Sequence, residues 1–357
     1  MKRIFLTLTA VLTVTVSLIA SANPVLIPSP PEVNASSYIL MDSLTGNVIV
    51  EHNADERLPP ASLTKMMTAY LVEKSLDRGD VSMDDQVPVS VKAWKTGGSR
   101  MFIKEGDNVR LEDLLRGIII QSGNDASVAV AEYLAGSEDA FVEVMNQQAK
   151  VFGMNNTNFQ SATGLPRDNQ YSSARDLAIL ARHIIHDYPE NYNIYSEKSF
   201  TYAGIRQPNR NKLLWRNIGV DGLKTGYTVR AGYCFVSSAK QNDTRFIAVI
   251  MGADSPESRA QEAQKLLSYG FRFYETERLF ENGHVLAEEE VWAGSVDSVK
   301  VGLGKEVTLT LPRGSRDSIE TKADIDSIIK APIKAGQVLG ELTATLNGEV
   351  IFSEDLV

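Results

Sequence analysis

The chain has 357 residues, of which 43% are hydrophobic and 23% are charged. This composition predicts one or two soluble folded domains and excludes both a disordered chain and a membrane bundle. The formal net charge of −9 argues against nucleic acid as a partner.

The N-terminus has the pattern of an export signal. Two basic residues, Lys2 and Arg3, precede an apolar run over residues 4–20, and small residues surround a cleavage point after Ala22. We therefore predict a signal peptide over residues 1–22, with an uncleaved anchor as the alternative. Cleavage would change the net charge from −9 to −11.

A hairpin and a buried helix are predicted next. After a proline-rich lead-in at residues 23–35, two apolar stretches at 37–41 and 47–51 flank a glycine-containing turn, which predicts a β-hairpin. Ser62 and Lys65 then lie three residues apart, so both project from one face of the helix that starts there. Residues 66–72 are apolar almost all round, and such a helix is normally buried. The helix would therefore carry a hydroxyl and an amine into the centre of the domain.

A serine hydroxyl next to a buried amine can be a nucleophile with its base. Serine is a weak nucleophile on its own, and lysine can act as a base only when it is neutral. Burial and nearby positive charge lower a lysine pKa, and a shift of roughly 3 units corresponds to about 4 kcal/mol. Taken alone, the Ser-x-x-Lys spacing is weak evidence, because three-residue spacings are common and a helix N-cap serine followed by a snorkelling lysine is the alternative.

Four helices are predicted in the middle of the chain. Their limits are residues 111–120, 125–134, 138–152 and 176–186, and serines at 137 and 173 precede the last two as caps. Ser122 and Asn124 lie in the break between the first two helices. Alternate residues there can face one cleft, although a simple capping turn is the alternative.

Late strands complete an α+β fold. Residues 232–238 and 245–251 predict an antiparallel pair that contains the single cysteine, Cys234, as a buried strand residue. A helix is predicted from Ser255 through Tyr269, with Gly270 as its stop. The early hairpin and these late strands would share one antiparallel sheet with helices packed on it.

Lys224, Thr225 and Gly226 lie at the edge of a late strand, where the glycine would let a ligand approach closely. A solvated lysine at a strand edge is the alternative. From about Glu275 onward, short strands alternate with turns such as Asn347-Gly348. We therefore predict a catalytic domain over residues 36–275 and an all-β sandwich over 276–357.

In this order, Ser-x-x-Lys, Ser-x-Asn and Lys-Thr-Gly are the motif set of penicillin-binding proteins and class A β-lactamases. From about Ser36 onward the chain resembles a serine-type D-alanyl-D-alanine carboxypeptidase, a low-molecular-mass penicillin-binding protein. The segments that carry this resemblance are residues 58–67, 209–215 and 220–228.

The resemblance implies a β-lactamase/transpeptidase-like catalytic domain, a C-terminal β-sandwich and no metal or cofactor. The substrates would be peptidoglycan stem peptides that lose their terminal D-alanine, and β-lactam antibiotics would act as covalent inhibitors. The implied roles are Ser62 as the nucleophile, Lys65 as the base, Ser122 and Asn124 as proton relay and amide contacts, Lys224 and Thr225 as carboxylate contacts, Gly226 as part of the binding strand, the Ser62 and Tyr227 N–H groups as the oxyanion hole, and Arg259 as a further carboxylate contact or a surface helix residue.

Several points stay open in this sequence. Tyr227 stands where many members of the family have histidine, which leaves pH dependence and substrate preference undetermined. The C-terminus lacks a basic amphipathic helix, so membrane association is not evident there. We expect a periplasmic or cell-envelope protein, with a peripheral position at the inner membrane as an alternative.

Two other functions are compatible with the three motifs. A β-lactamase would need a Glu-x-x-x-Asn loop for its deacylating water, but Ile194 follows Glu190 at the required spacing. A non-catalytic receptor that is acylated once is the other alternative. Neither has a motif of its own in the chain.

Overall fold

The computed structural model describes residues 26–357, so the predicted signal peptide lies outside the described residues. The first part of the chain forms β1 (Ser37–Asp42), β2 (Val48–His52), α1 (Lys65–Asp77), β3 (Gln86–Pro88), α2 (Val91–Lys95), β4 (Asn108–Arg110), α3 (Leu111–Arg116), α4 (Asn124–Ala135), α5 (Glu138–Val151), α6 (Ala174–Asp187), β5 (Ser199–Tyr202), β6 (Ile205–Pro208), β7 (Val220–Thr228), β8 (Gly232–Gln241), β9 (Thr244–Ala253) and α7 (Pro256–Phe273). The second part forms β10 (Tyr274–Phe280), β11 (Val285–Trp292), β12 (Ser298–Gly302), β13 (Val307–Pro312), β14 (Ile319–Ile325), β15 (Ile329–Lys330), β16 (Gly340–Leu346) and β17 (Glu349–Leu356).

One antiparallel sheet joins the two ends of the first part. Its strand order is β2-β1-β9-β8-β7, and Ile39 of β1 pairs with Val249 of β9. The predicted hairpin, the late strand pair and their common sheet are therefore confirmed. Cys234 is fully buried on β8, as predicted.

The sheet separates two apolar layers. Neighbouring residues of a strand point to opposite faces, so Ile39 joins the layer built around α1, α4 and α6, while Leu40 joins the layer under α7. Burying a side chain of this size contributes about 2 kcal/mol. Residues 66–72 of α1 are all buried, which confirms the predicted central helix.

The helix predicted over residues 111–120 has two parts. It starts as α3 and widens into a π-helical turn, Gly117–Gln121, that ends at Ser122 with a left-handed φ of 66°. The two serine caps are confirmed: Ser137 accepts a hydrogen bond from the Ala140 N–H at 3.1 Å, and Ser173 accepts one from the Asp176 N–H at 3.2 Å.

The predicted helix stop at Gly270 is wrong, because α7 continues to Phe273. Gly270 has a packing role instead. A Cβ at this position would lie 2.9 Å from the ring of Phe246 on β9, which is closer than real Cβ contacts. The glycine therefore lets the helix approach the sheet.

The second part of the chain consists of strands around one apolar cluster that includes Val301, Leu342 and Leu356. The predicted Asn347-Gly348 turn connects β16 to β17, and both residues have positive φ. The boundary predicted after residue 275 falls inside β10.

A buried carboxylate joins the two parts. Asp42, at the end of β1, accepts hydrogen bonds from the hydroxyls of Thr276 and Thr310 at 2.6 and 2.9 Å. The same side chain accepts the N–H groups of Leu44 and Thr45, so it also closes the β1–β2 turn. Between residues 26 and 357, no helix combines the length and apolar character needed to span a membrane.

Candidate active site

Ser62 lies in a tight turn between two backbones. It belongs to a 3₁₀ turn, Ala61–Thr64, that continues directly into α1. A Cβ on Gly226 of β7 would lie 3.1 Å from the Ser62 nitrogen, and one on Gly164 would lie 1.9 Å from the Ala61 oxygen. The space that a side chain would need at Gly226 is therefore filled by the turn that carries Ser62. Gly226 therefore allows close approach of the turn that carries the nucleophile. The sequence analysis had instead predicted that this glycine lets a ligand approach.

The Lys65 amine is held at three points. The side chain is 1% exposed. Its Nζ lies 3.2 Å from Ser62 Oγ, 2.6 Å from Asn124 Oδ1 and 2.5 Å from the Thr163 carbonyl oxygen. A neutral amine has two N–H donors and one lone pair, and the two carbonyl-type oxygens can accept both donors. The lone pair is then directed at the Ser62 hydroxyl.

The surroundings of Lys65 favour this neutral form. Its pKa is lowered to about 7, mainly by burial and also by the positive charge of Arg210, against a smaller opposing effect of Asp125. Asp125 is itself engaged elsewhere, because it accepts the backbone N–H groups of Met101 and Phe102 at 2.9 Å. A substantial fraction of Lys65 is therefore neutral near pH 7.

The Ser122 segment is strained and oriented into the site. A left-handed φ is uncommon for serine, and such strain is often found at functional sites. The Ser122 hydroxyl is buried and has no hydrogen-bond partner among the described residues, so it is available to a ligand. Asn124 lies behind it and is bonded at both ends of its side-chain amide: Oδ1 accepts from Lys65, and Nδ2 donates to the Gly97 carbonyl at 2.7 Å.

The β7 strand contributes a second buried lysine. Lys224 is 3% exposed, and its Nζ donates to the Thr225 carbonyl at 3.1 Å. Burial holds its pKa well below the usual value, and the nearby charges of Lys65, Arg210 and Arg259 act in the same direction. A bound anion would stabilise the charged forms of these groups, so the site favours an anionic ligand.

Two side chains close the other wall. Arg259 on α7 is buried, and its Nη1 donates to the Gly226 carbonyl at 2.9 Å, so it is not a surface helix residue. Its guanidinium lies 5.6 Å from the centre of the Tyr233 ring. Tyr227, which is 50% exposed, stacks on the same ring at 4.3 Å.

These elements surround a cleft of about 300 Å³. The structure brings Ser62, Ser122, Thr225, Gly226, Tyr227 and Arg259 to its wall, while Lys65, Asn124 and Lys224 lie directly behind. No Asp or Glu lines the cleft within the described part of the chain. The lining residues are Ser62, Ser99, Ser122, Arg210, Thr225, Gly226, Tyr227, Tyr233, Pro256 and Arg259.

The sequence analysis missed two functional candidates, Ser99 and Arg210. Arg210 belongs to the segment 209–215 that carries part of the family resemblance, and this was the only signal for it. Ser99 belongs to a glycine-rich loop whose position depends on a backbone contact: its carbonyl accepts the Asn124 N–H at 2.7 Å. A contact of that kind leaves no pattern in the sequence.

A serine hydroxyl hydrogen-bonded to a buried lysine, facing a cleft with two arginines at a sheet edge, is the arrangement of a serine hydrolase. Comparison with known proteins identifies the family. The family model for D-alanyl-D-alanine carboxypeptidase matches residues 25–255, and the model for the C-terminal domain of penicillin-binding protein 5 matches residues 274–357. The chain belongs to the D-alanyl-D-alanine carboxypeptidase family.

Relatives and solved structures agree. The chain is 45% identical to D-alanyl-D-alanine carboxypeptidase DacC of Escherichia coli, over 92% of this chain and 84% of the relative. Penicillin-binding protein 5 of Haemophilus influenzae superposes with a TM-score of 0.89 at 43% identity, over 92% of this chain and 97% of that structure. Penicillin-binding protein D2 of Listeria monocytogenes, solved in an ampicillin-bound form, matches with a TM-score of 0.63 at 32% identity, over 68% of this chain and all of that structure.

These matches confirm the predicted family, the α+β fold with its strand-built C-terminal part, and a serine-type carboxypeptidase as the main interpretation. The β-lactamase and receptor alternatives receive no support from the relatives.

Proposed function

We propose that the chain removes the terminal D-alanine from peptidoglycan stem peptides through an acyl-enzyme on Ser62. The observation that carries this proposal is the hydrogen-bonding pattern of Lys65, whose two carbonyl-type acceptors leave a lone pair for the Ser62 hydroxyl. Family membership supports the reaction class, and the geometry supports the proposed roles of individual residues.

In the acylation step, the neutral Lys65 amine takes the proton of Ser62 Oγ, and the oxygen attacks the carbonyl carbon of the D-Ala–D-Ala bond. The resulting oxyanion would be stabilised by the N–H groups of Ser62 and Tyr227, and each such donor contributes about 3 to 4 kcal/mol in comparable enzymes. The Ser122 hydroxyl, which is buried and unpartnered within the described residues, would relay the proton from Lys65 to the departing amine, so that the lysine returns to its neutral form. Free D-alanine leaves, and water then hydrolyses the ester.

The cationic cleft would select substrates with a free terminal carboxylate. Thr225, Arg210 and Arg259 line the cleft, and the Lys224 amine lies behind the wall, where a bound carboxylate would favour its charged form. A hydrogen bond to a charged group is worth roughly 1.5 to 3 kcal/mol, so several such contacts can set a clear preference for an acid. Penicillin carries a similar carboxylate next to a strained amide. We therefore expect β-lactams to acylate the same serine.

We also propose the domain organisation and the location. Residues 36–275 would form the catalytic domain, and residues 276–357 would form a β-sandwich that positions it and performs no chemistry. An exported protein in the periplasm or cell envelope, after removal of residues 1–22, would meet peptidoglycan there. The export-signal pattern of residues 1–22 supports this location.

Mass spectrometry with benzylpenicillin and with a peptide ending in D-Ala-D-Ala tests the proposal. The intact protein should gain one penicilloyl group, located on Ser62, and the peptide should lose one D-alanine. Ser62→Ala should abolish both reactions. Ser43→Ala is a matched control, because Ser43 is buried beside His186 and has no place in the cleft. An adduct on a serine other than Ser62 would exclude the proposed mechanism.

A further inference from the structure

The Thr163 carbonyl accepts a hydrogen bond from the Lys65 amine. It belongs to a short segment that forms hydrogen bonds with side chains of two helices. Its neighbour Ala162 has both backbone polar groups bonded to side chains. The Thr68 hydroxyl on α1 donates to the Ala162 carbonyl at 2.8 Å, and the Ala162 N–H donates to Glu138 Oε1 at 3.2 Å. Ala162 is fully buried, so these bonds have no competition from water.

Both side chains are themselves fixed. Thr68 follows Lys65 by three residues on α1, so the base and this hydroxyl share one face of a single buried helix. Glu138 is the first residue of α5, directly after its serine cap, and its other carboxylate oxygen forms an ion pair with Lys92 at 2.9 Å. The Ala162 peptide groups are therefore fixed in position relative to the helix that carries the base and relative to a second rigid helix.

We propose that Thr68 and Glu138 are positioning residues, which hold Ala162 so that the Thr163 carbonyl fixes the orientation of the Lys65 amine. The amine can rotate about its Cε–Nζ bond, and its lone pair meets the Ser62 hydroxyl only while both N–H groups have their acceptors. One acceptor is the Asn124 side chain, and the other is this carbonyl. If the Thr163 carbonyl moves, the amine rotates and its lone pair no longer faces the Ser62 hydroxyl. This inference rests on the proposed function.

Acylation of Ser62 by benzylpenicillin, followed across pH in the full chain, tests this role with two matched pairs of variants. Thr68→Val removes the hydroxyl at nearly constant volume, whereas Thr68→Ser retains it. Glu138→Leu removes the acceptor of the Ala162 N–H, whereas Glu138→Gln retains an amide oxygen for it. Thr157→Val is the control, because that hydroxyl bonds to Ser172 and Asp176 instead.

We expect Thr68→Val and Glu138→Leu to acylate about 10- to 100-fold more slowly, as expected for a misplaced base, with little change in the affinity of the initial complex. The pH below which the rate falls should also decrease. When its acceptor moves away, the charged form of the Lys65 amine loses more hydrogen-bond energy than the neutral form, so the pKa of Lys65 is lowered. The serine and glutamine variants and Thr157→Val should stay within about threefold of the parent.

The two ways of failing are distinguishable. If the parent itself carries no adduct on Ser62, the proposed function is wrong. If the parent is labelled and Thr68→Val and Glu138→Leu react at its rate, the positioning role is wrong. It is also wrong if these variants are labelled to a smaller extent but their rate falls off at the same pH as that of the parent. Should Thr68→Val fail to fold, the Glu138 pair decides by the same criteria.

Discussion

The rate at which penicillin acylates Ser62 should depend on the protonation of Lys65. With a pKa of about 7, the amine is neutral in about 90% of molecules at pH 8 and in about 1% at pH 5, so the rate should fall about 90-fold over this range. The direction follows from the role of the base: the neutral form is active, and it is lost as pH decreases through 7. A lysine with its ordinary pKa of 10.5 would be neutral in only about one molecule in 300 at pH 8.

Second-order rate constants for adduct formation, measured by intact mass between pH 5 and 9 at constant ionic strength, give this profile directly. Benzylpenicillin suits the measurement because its carboxylate stays ionised throughout. A rate that is flat from pH 5 to 8 would show that Lys65 is not the base. A rate that still rises about tenfold per pH unit up to pH 9 would show that burial does not lower the pKa of Lys65 as the structure indicates.

Two arginine variants separate the charge effect from a general disturbance. Arg210→Gln removes a cation that lowers the pKa of Lys65, so the acid limb should move to higher pH. Arg216→Gln is the control, because Arg216 pairs with Glu257 and Gln264 outside the cleft. The position of the limb is the measure, since Arg210 can also affect binding through its place in the cleft wall. If the acylation rate falls at the same pH in both variants, the assigned role of Arg210 is wrong.

Two further predictions concern other buried charges. Lys224→Ala should reduce kcat/KM for a D-Ala-D-Ala peptide acid by at least tenfold but should have little effect on the corresponding terminal amide, because only the acid carries the charge that the cleft attracts; equal losses on both substrates would contradict this role. Burial raises the pKa of Glu73 to about 8, from an unfolded value near 4.5. The folded state therefore holds the proton more strongly than the unfolded state, and the free energy of unfolding should fall as pH rises between these values. The loss should reach roughly 4 kcal/mol at pH 8. Glu73→Gln should remove this dependence in urea unfolding at pH 5 and pH 8, and an unchanged difference between the two pH values would refute the assignment.

The sequence predicted the parts of the site that depend on residue type and order. Three short motifs placed a hydroxyl, two amines and a strand edge in the chain, and the alternation of apolar residues predicted the sheet that brings them together. It could not predict which backbone groups would complete the site. The Thr163 carbonyl and the approach of Gly226 to the Ser62 turn arise from tertiary packing. Any residue has a carbonyl, so no pattern of side chains marks the one that is used.

The errors have a similar physical cause. Gly270 has the residue type of a helix stop, but packing against Phe246 determined its role. In the second part of the chain, no sequence pattern marks β14, because residues 320–324 are all exposed and the strand has no apolar alternation to detect. Its pairing with β16 is decided by backbone hydrogen bonds. Local patterns therefore failed where a neighbour in space, rather than in sequence, set the conformation.

The two buried charges on α1 show why a shifted pKa does not by itself identify a catalytic group. The pKa of Lys65 is lowered to about 7, mainly by burial and also by Arg210, and burial raises the pKa of Glu73 to about 8. Lys65 has three hydrogen-bond partners, one of which is a hydroxyl on the wall of the cleft. Within residues 26–357, the Glu73 carboxylate is buried without a hydrogen-bond partner, and it does not line the cleft. Equal burial thus yields a base in one case and an energetic cost in the other, because only Lys65 has a reactive group in reach.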